Sequence, residues 1–312
     1  MDSVAAQIFQ EWEHIIVDDG STDGTEEEVA SRASSDARFR FLKRTGSATG
    51  ANVCRNIGIR ESRGSYIVFL DSDDLLRRNC LDERVRLMGR NQDLDFAVYL
   101  SGFFIKQIGD WRIQQPEERF GDDLLGILYF EIPWIITAPI WRREALLALK
   151  GFDETLPSWQ DVDLHLRAIC LGMKYLKLPA VDHDIRRQFE ENKVSMLQRR
   201  SAEHLIAAEA TLVKFEEYVL NGPGLDWSRQ RAICRLYFLL AELWVDKRDF
   251  RNGQRAWAIC RQRCLLPLHV YLAGRVLLLL KQVSPESEFT RRLINKWIGV
   301  VRMRSNPNLI TG

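Results

Sequence analysis

Apolar positions recur along this chain with two different periods, and the change between them divides it. In roughly the first 200 positions they come as short runs bounded by polar turn residues, such as His14-Ile15-Ile16-Val17 and Ile67-Val68-Phe69-Leu70. Runs of this kind read as buried strands. From about Ser201 the strand-like runs and Gly/Pro turns disappear. The spacing there predicts successive amphipathic helices over Ala202–Tyr218, Trp227–Val245, Asn252–Cys260, Leu268–Leu280 and Arg291–Val301. Asn221-Gly222-Pro223-Gly224 breaks the first of these from the rest. The pattern predicts an α/β domain over residues 1–200 and an α-helical region over 201–312.

The residues just past the two clearest strands are more informative than the strands themselves. Ile67–Leu70 runs into Asp71-Ser72-Asp73-Asp74, and His14–Val17 into Asp18-Asp19-Gly20-Ser21-Thr22-Asp23-Gly24-Thr25. Carboxylates crowded at a strand end repel one another and lose hydration, so a cation usually offsets them. A hard divalent ion that also carries phosphate oxygens suits such a site. An Asp-rich turn or helix cap is the plainer reading, and it accounts for Ser21 to Asp23. It does not account for two strands ending alike. In open α/β sheets ligands bind beyond the carboxyl ends of strands, so the pair points to a nucleotide with a metal.

Four blocks now line up with a known family. Val17–Thr25 resembles the nucleotide-binding signature of glycosyltransferase family 2. Ala51-Asn52-Val53-Cys54-Arg55-Asn56-Ile57-Gly58 resembles its Ala-Arg-Asn-x-Gly helix. Arg63-Gly64-Ser65-Tyr66 through Asp74 is similar to its Gly-x-Tyr-hydrophobic run and DXD motif. Gly151-Phe152-Asp153-Glu154 and Gln160-Asp161-Val162-Asp163-Leu164-His165-Leu166-Arg167 are similar to its acceptor-side block. The order of the blocks over residues 1 to 200 is far more specific than any one of them.

The resemblance implies a fold and a set of roles. The fold is α/β of GT-A type, a Rossmann-like nucleotide-diphospho-sugar transferase domain with a mixed central sheet, followed by the α-helical C-terminal extension. Asp19, with Asp18 beside it, is expected to hold the base and ribose. Asp71 and Asp73 are expected at a ribose hydroxyl and at a divalent cation, Mn²⁺ or Mg²⁺, with Asp73 the nearer to the ion. Arg55 and Asn56 would line the donor pocket, although Asn56 reads equally well as a helix residue packed on the sheet. Asp161 is similar to the catalytic base, where many relatives have Glu-Asp and this chain has Gln160-Asp161; capping of the helix Val162–Leu171 is the alternative.

Arg187 aligns with the Arg of a Tyr-Arg-x-His motif, and Phe189 stands where the His would be. Arg186 or Arg187 is a candidate clamp for the diphosphate, since a guanidinium matches phosphate oxygens bidentately. His183 is out of register for a metal ligand and reads as an ordinary histidine near a strand end. Trp134, Trp141 and Trp159 read either as stacking platforms for an acceptor sugar or as core. The stretch Met1–Gln10 resembles the end of the helix that precedes the strand ending at Asp18, so the family's first strand is expected upstream of this sequence, a natural truncation with weakened donor binding being the alternative.

Composition adds context. A chain of 312 residues can bury a large core and exceeds one ordinary domain. The near-neutral total hides an asymmetry: residues 226–312 hold 16 Lys and Arg against 6 Asp and Glu, residues 1–225 28 against 37. The basic helices, Arg291–Arg302 among them, suit peripheral contact with an anionic membrane surface, or else are a solvated face over a core stripe. No aromatic-basic module accompanies the charge, which argues against nucleic acid. The longest strongly apolar run, Val276–Leu280, is far below the roughly 20 residues of a membrane span, and acidic residues interrupt any N-terminal signal core. Six cysteines without CxxC pairing suggest reduced thiols and a cytoplasmic location.

Ala241–Phe250 with Arg255-Ala256-Trp257 resembles a single helix-turn-helix repeat of tetratricopeptide type. Such arrays need several copies, so an αα-hairpin docking on the first domain is expected. The function these features imply is an inverting glycosyltransferase, moving a sugar from a nucleotide-diphosphate donor to a saccharide or lipid-linked hydroxyl acceptor in surface polysaccharide or glycolipid assembly. A catalytically impaired scaffold is the first alternative. A nucleotidyltransferase is the second, and it lacks the Gly/Lys/Arg-rich triphosphate loop it would need.

Overall fold

The uncharged run Phe96-Ala-Val-Tyr-Leu-Ser-Gly-Phe-Phe104 forms the middle strand of the structure, and eight of its nine residues are buried. A strand without charges on either face must be covered on both sides, so it takes the centre of a sheet. The computed structural model describes residues 1–110, 121–130, 134–187, 201–264, 266–285 and 287–303. They divide into two units, Met1–Glu117 with Trp134–Phe189 and Glu118–Pro133 with Glu190–Gly312.

In the first unit, helix α1 (Asp2–Ala5) precedes β1 (His14–Asp18), α2 (Thr25–Ser35), β2 (Phe39–Lys43), α3 (Ala51–Glu61) and β3 (Tyr66–Val68). Then come β4 (Leu75–Leu76), α4 (Cys80–Arg90) and β5 (Phe96–Phe104). Beyond the segment that belongs to the other unit lie β6 (Pro139–Arg142), α6 (Arg143–Ala148), α7 (Gln160–Cys170) and β7 (Tyr175–Arg186). The five strands from β3 onward make one mixed sheet in the order β3-β6-β5-β7-β4, in which only β5 and β7 run parallel. Strands β1 and β2 form a separate parallel pair, joined through α2 as a βαβ unit. Acidic Glu26, Glu27 and Glu28 in the first turn of α2 complement its dipole. The five residues of β1 are all only half-buried.

The core of this unit is aromatic. Phe96 stacks between Trp141 (4.2 Å) and Tyr175 (5.0 Å), with Trp134 and His165 edging the cluster. Trp134 and Trp141 are buried, so both are core residues rather than sugar platforms. A second, polar core lies between β5, β7 and α4. Arg84, wholly buried, donates to both oxygens of Asp182 from Nε (2.6 Å) and Nη2 (2.8 Å), and from Nη1 to the Thr137 carbonyl (3.0 Å). His183 lies 2.8 Å from Asp182 through Nδ1 and 2.8 Å from Ser101 Oγ through Nε2. Ser, His and Asp in line resemble a hydrolytic relay, yet all three are buried. The histidine is committed here, in keeping with its sequence reading and not with metal ligation.

The second unit is helical: α5 (Asp123–Leu128), α8 (Ala202–Asn221), α9 (Trp227–Asp246), α10 (Phe250–Cys264), α11 (Leu268–Val283) and α12 (Glu288–Met303). A division at residue 200 puts α5 with the first domain. Its Leu124 to Leu128 are all buried and it packs on α9, because so apolar a turn needs cover on several sides. Asp122 caps it by accepting from Leu124 N (2.9 Å). The expected αα-hairpin is α9–α10. Gly253 lets the two helices close, since a Cβ there would stand 3.0 Å from the Ala241 carbonyl. Gly274 does the same for α11 on α10, where a Cβ would meet the Trp257 ring at 2.6 Å.

Candidate active site

Both acidic strand ends are turns built from their own carboxylates. At the end of β1, Asp18 accepts from Gly20 N (3.0 Å) and Ser21 N (3.1 Å), an Asx turn. Hydrogen bonds from the Ser21 side chain and then the two amides hold its carboxyl below the usual range. Asp19 points elsewhere: it pairs with Arg44, just past β2, and accepts from Gly50 N at 2.8 Å. Gly50 is the residue that opens α3. The first acidic tip is therefore fastened to the N-terminus of α3. Sequence reasoning missed Arg44, although the parallel β1–β2 pairing places it beside Asp18 and Asp19.

Farther along, α3 reaches the second tip. Arg55 donates from Nη2 to Asp71 Oδ1 at 2.8 Å, and its guanidinium lies 5.5 Å from the Phe152 ring. Asp73, two residues on, is half-buried and has no partner among the described residues. Asp74 turns inward, where it accepts from the Thr137 hydroxyl (3.2 Å) and from Arg186 N (3.1 Å). Burial pushes its carboxyl up to about 7; the Arg186 amide opposes this, and the charges of Asp71 and Asp73 add to it. This buried member of the motif was also missed, since sequence cannot tell which of three adjacent carboxylates faces in.

Asp161 lies in the first turn of α7 and accepts from Val162 N at 2.9 Å. Burial raises its pKa; the Val162 amide and the Arg55 charge oppose the rise, and the charge of Asp71 reinforces it. Asp161 thus shares one electrostatic cluster with Arg55 and Asp71, from sequence blocks far apart along the chain. Trp159, just before it, sits in the left-handed region at φ 60°. That conformation costs about 1–2 kcal/mol for a side chain with a Cβ and marks a strained entry to the helix.

Asn56 is placed differently. Its amide donates to the Phe152 carbonyl (2.9 Å) and Glu154 Oε1 (2.8 Å), and its oxygen accepts from Phe152 N (2.8 Å). Asn52 likewise donates to the Asp153 carbonyl at 2.8 Å. The two asparagines fasten α3 to the 151–156 loop that leads to Asp161, so Asn56 fits its packed reading better than a donor contact. Gly151 holds φ +66°, and a Cβ there would come within 2.3 Å of Asn56 Oδ1. Replacing Gly151 with Ala is expected to lower stability by about 1–3 kcal/mol through strain and overpacking. An unchanged urea midpoint would show that the loop relaxes freely.

Arg187 follows directly on β7. Its amide donates to the Phe104 carbonyl (2.7 Å), and its guanidinium lies 4.9 Å from the Phe103 ring. The amide of the exposed Arg186 is the one that binds Asp74, which puts this strand end beside the second tip. Phe189 lies outside the described residues. Among the described residues no three His, Cys, Asp or Glu side chains group closely enough to hold a metal alone. One or two carboxylates completed by substrate phosphates is the usual arrangement for Mg²⁺, and the oxygen donors of Asp71 and Asp73 fit such an ion.

Comparison with known proteins bears on this geometry. Residues 1–146 match the family described as Glycosyl transferase family 2. This part of the chain is similar to that family. Among curated relatives, the amylovoran biosynthesis glycosyltransferase AmsB of Erwinia amylovora is 30% identical over 185 residues, covering 57% of this chain and 61% of AmsB. The putative teichuronic acid biosynthesis glycosyltransferase TuaG of Bacillus subtilis is 37% identical over 129 residues, covering 39% and 49%. The chain spans 26% of an uncharacterized glycosyltransferase of Rickettsia bellii and 56% of one of Rickettsia typhi. It therefore covers less than two thirds of the length of each of these relatives.

Among solved structures, S. aureus TarS 1–349 in complex with UDP-GlcNAc superposes with a TM-score of 0.60 at 18% identity, over 91% of this chain and 85% of that one. The mannosyltransferase PcManGT from Pyrobaculum calidifontis, in complex with GDP-Man and Mn²⁺, gives 0.52 at 15% identity over 97% and 81%. At these identities the likeness is one of fold. The fold is the expected one: a GT-A-type α/β domain with a mixed sheet and a helical C-terminal region.

Proposed function

We propose that this chain is a metal-dependent inverting glycosyltransferase that takes its sugar from a nucleotide-diphosphate donor. The observation that carries the reading is the cluster of Arg55, Asp71 and Asp161, tied through α3 to Asp19. Arg55 and Asp71 are joined by an ion pair and Asp161 senses the charge of both, which supports a donor flanked by a base. Asp19 and Asp18 would hold the base and ribose. Asp73, without a partner among the described residues, and Asp71 would hold the divalent cation, which when bound neutralises charge on the departing diphosphate.

Asp161 would take the proton from the acceptor hydroxyl as its oxygen attacks the anomeric carbon. The bond from that carbon to the diphosphate oxygen breaks with its electron pair leaving on the nucleotide. Arg187, and Arg186 beside it, would receive that charge. A single carboxylate suffices for direct displacement, so an α-linked donor would give a β-linkage. The names of AmsB and TuaG support an acceptor in surface polysaccharide assembly. The nucleotide sugars in complex with TarS and PcManGT support the donor class. Work at the cytoplasmic face of a membrane belongs to the same reading; no described helix is long and apolar enough to cross one.

A thermal-shift screen of nucleotide sugars with and without Mn²⁺ or Mg²⁺ tests the donor site. A true donor at a hundredfold its Kd is expected to stabilise the fold by about 2.7 kcal/mol. Asp73→Asn is expected to remove the metal-dependent part of that shift. Failure of every nucleotide sugar to move the transition would sink the reading.

A further inference from the structure

We infer that one face of α11, together with the exposed start of α12, is a docking surface for an anionic lipid bilayer. Helix α11 is apolar around almost its whole circumference, and such a helix is expected to be buried on every side. It is buried on one side only. Gly274, Leu277 and Leu278 face the protein, with Gly274 pressed on Trp257 of α10. Leu268, Leu272, Val276, Leu279, Leu280 and Val283 are all exposed, from 39% at Leu280 to 79% at Val283. Their spacing places all six in one continuous stripe along the helix. Soluble monomers leave single apolar side chains exposed, but a row of this length marks an interaction surface.

Charge identifies what covers the stripe. Residues 261–312 carry nine Lys and Arg and only two acids, Glu286 and Glu288. Arg275 borders the stripe and is exposed. On α12, Phe289 is 68% exposed, and by helical spacing it shares a face with Arg292 and Lys296. Arg291 and Lys296 are exposed and have no acidic partner among the described residues. An apolar row bordered by Arg275, with the unpaired Arg291 and Lys296 on the next helix, complements acyl chains beneath anionic headgroups. A second copy of the chain is the poorer occupant, because pairing two such faces would bring the basic residues of both copies together. The charge pattern of the sequence points to the basic C-terminal helices, Arg291–Arg302 among them; the exposed apolar row puts the main contact on α11.

Flotation of the full chain with vesicles tests the assignment. Binding is expected to vesicles of mixed phosphatidylcholine and phosphatidylglycerol, not to phosphatidylcholine alone, and to be released by high salt. The variant Leu272→Glu/Val276→Glu/Leu279→Glu is expected to lose about tenfold or more in partitioning, its folding checked by circular dichroism. Arg291→Gln/Arg292→Gln/Lys296→Gln is expected to lose a similar factor without touching the apolar row. Absence of wild-type binding at low salt, or binding by either variant as strong as that of the wild type, would overturn the proposal. So would a wild-type dimer by light scattering that the glutamate variant dissolves, which would assign the face to a second copy. Donor-induced thermal shifts are expected unchanged in both variants, so this result stands or falls apart from the transferase reading.

Discussion

Replacing Asp161 with Asn is expected to reduce sugar transfer by about 10²–10⁴-fold while leaving donor binding intact, the range that positioned proton transfer usually contributes. The substitution keeps the shape of the side chain and the oxygen that accepts from Val162 N, so α7 should start where it does now. What disappears is the capacity to take a proton. The electrostatics add a second, independent readout. Burial, reinforced by Asp71, raises the pKa of Asp161 against the opposing Val162 amide and Arg55. A base must be ionised to act, so kcat should climb with pH through that raised value. The acid limb of the wild-type profile should therefore lie above the ordinary carboxylate value of about 4. Arg55→Gln removes a charge that favours ionisation, and is expected to move the limb higher still. Initial rates across pH, with donor affinity from the thermal shift, check all of this. Transfer by Asp161→Asn at the wild-type rate would leave the chain without its base.

The largest loss of stability is expected from Asp182→Ala, about 3–5 kcal/mol, because it strands the guanidinium of Arg84 without its carboxylate. Arg84 is wholly buried and Asp182 is 1% exposed, so no water replaces the missing partner. Burial disfavours the charged carboxyl, but the charge and two hydrogen bonds of Arg84 outweigh it and hold the pKa at about 2. The folded-state value is thus below that of the unfolded chain. The contribution of the pair is complete above pH about 4 and is lost as pH falls toward 2. Asp182→Asn keeps a hydrogen-bonding oxygen and should lose less than Asp182→Ala. Urea midpoints at neutral pH measure both. A midpoint for Asp182→Ala within about 0.5 kcal/mol of wild type, the scatter of ordinary surface substitutions, would mean that Arg84 finds other partners.

How much of the molecule is legible in its sequence depends on how local the cause is. Helix starts and stops in the C-terminal region are readable because caps and breaks are local. Ser201 and Asp226 cap α8 and α9, and the Gly222-Pro223-Gly224 turn lies between them. The predicted 227–245 helix is Trp227–Asp246 in the structure. The acidic tips are readable because their chemistry is written in consecutive residues, although β3 ends at Val68 rather than at Leu70. Contacts made across the fold are not readable. Nothing local says that Arg44 meets Asp19, that Asp74 turns inward to Arg186 N, or that Asn56 spends its amide on the 152–154 loop. The same holds for α5, whose leucines look like any buried turn until their partner on α9 is known. Trp134 and Trp141 share the commonest fate of large aromatics, and Trp159 alone of the three remains half-buried, next to Asp161.

Helix α3 meets three parts of the candidate site: its N-terminus receives Asp19, Arg55 grips Asp71, and its two asparagines hold the loop before Asp161. It works as a common axle on which recognition of the base, seating of the phosphates and aim of the proton acceptor all turn. A substitution that tilts α3 would therefore disturb all three together, and drift at its inner face would surface as coupled losses in affinity and rate.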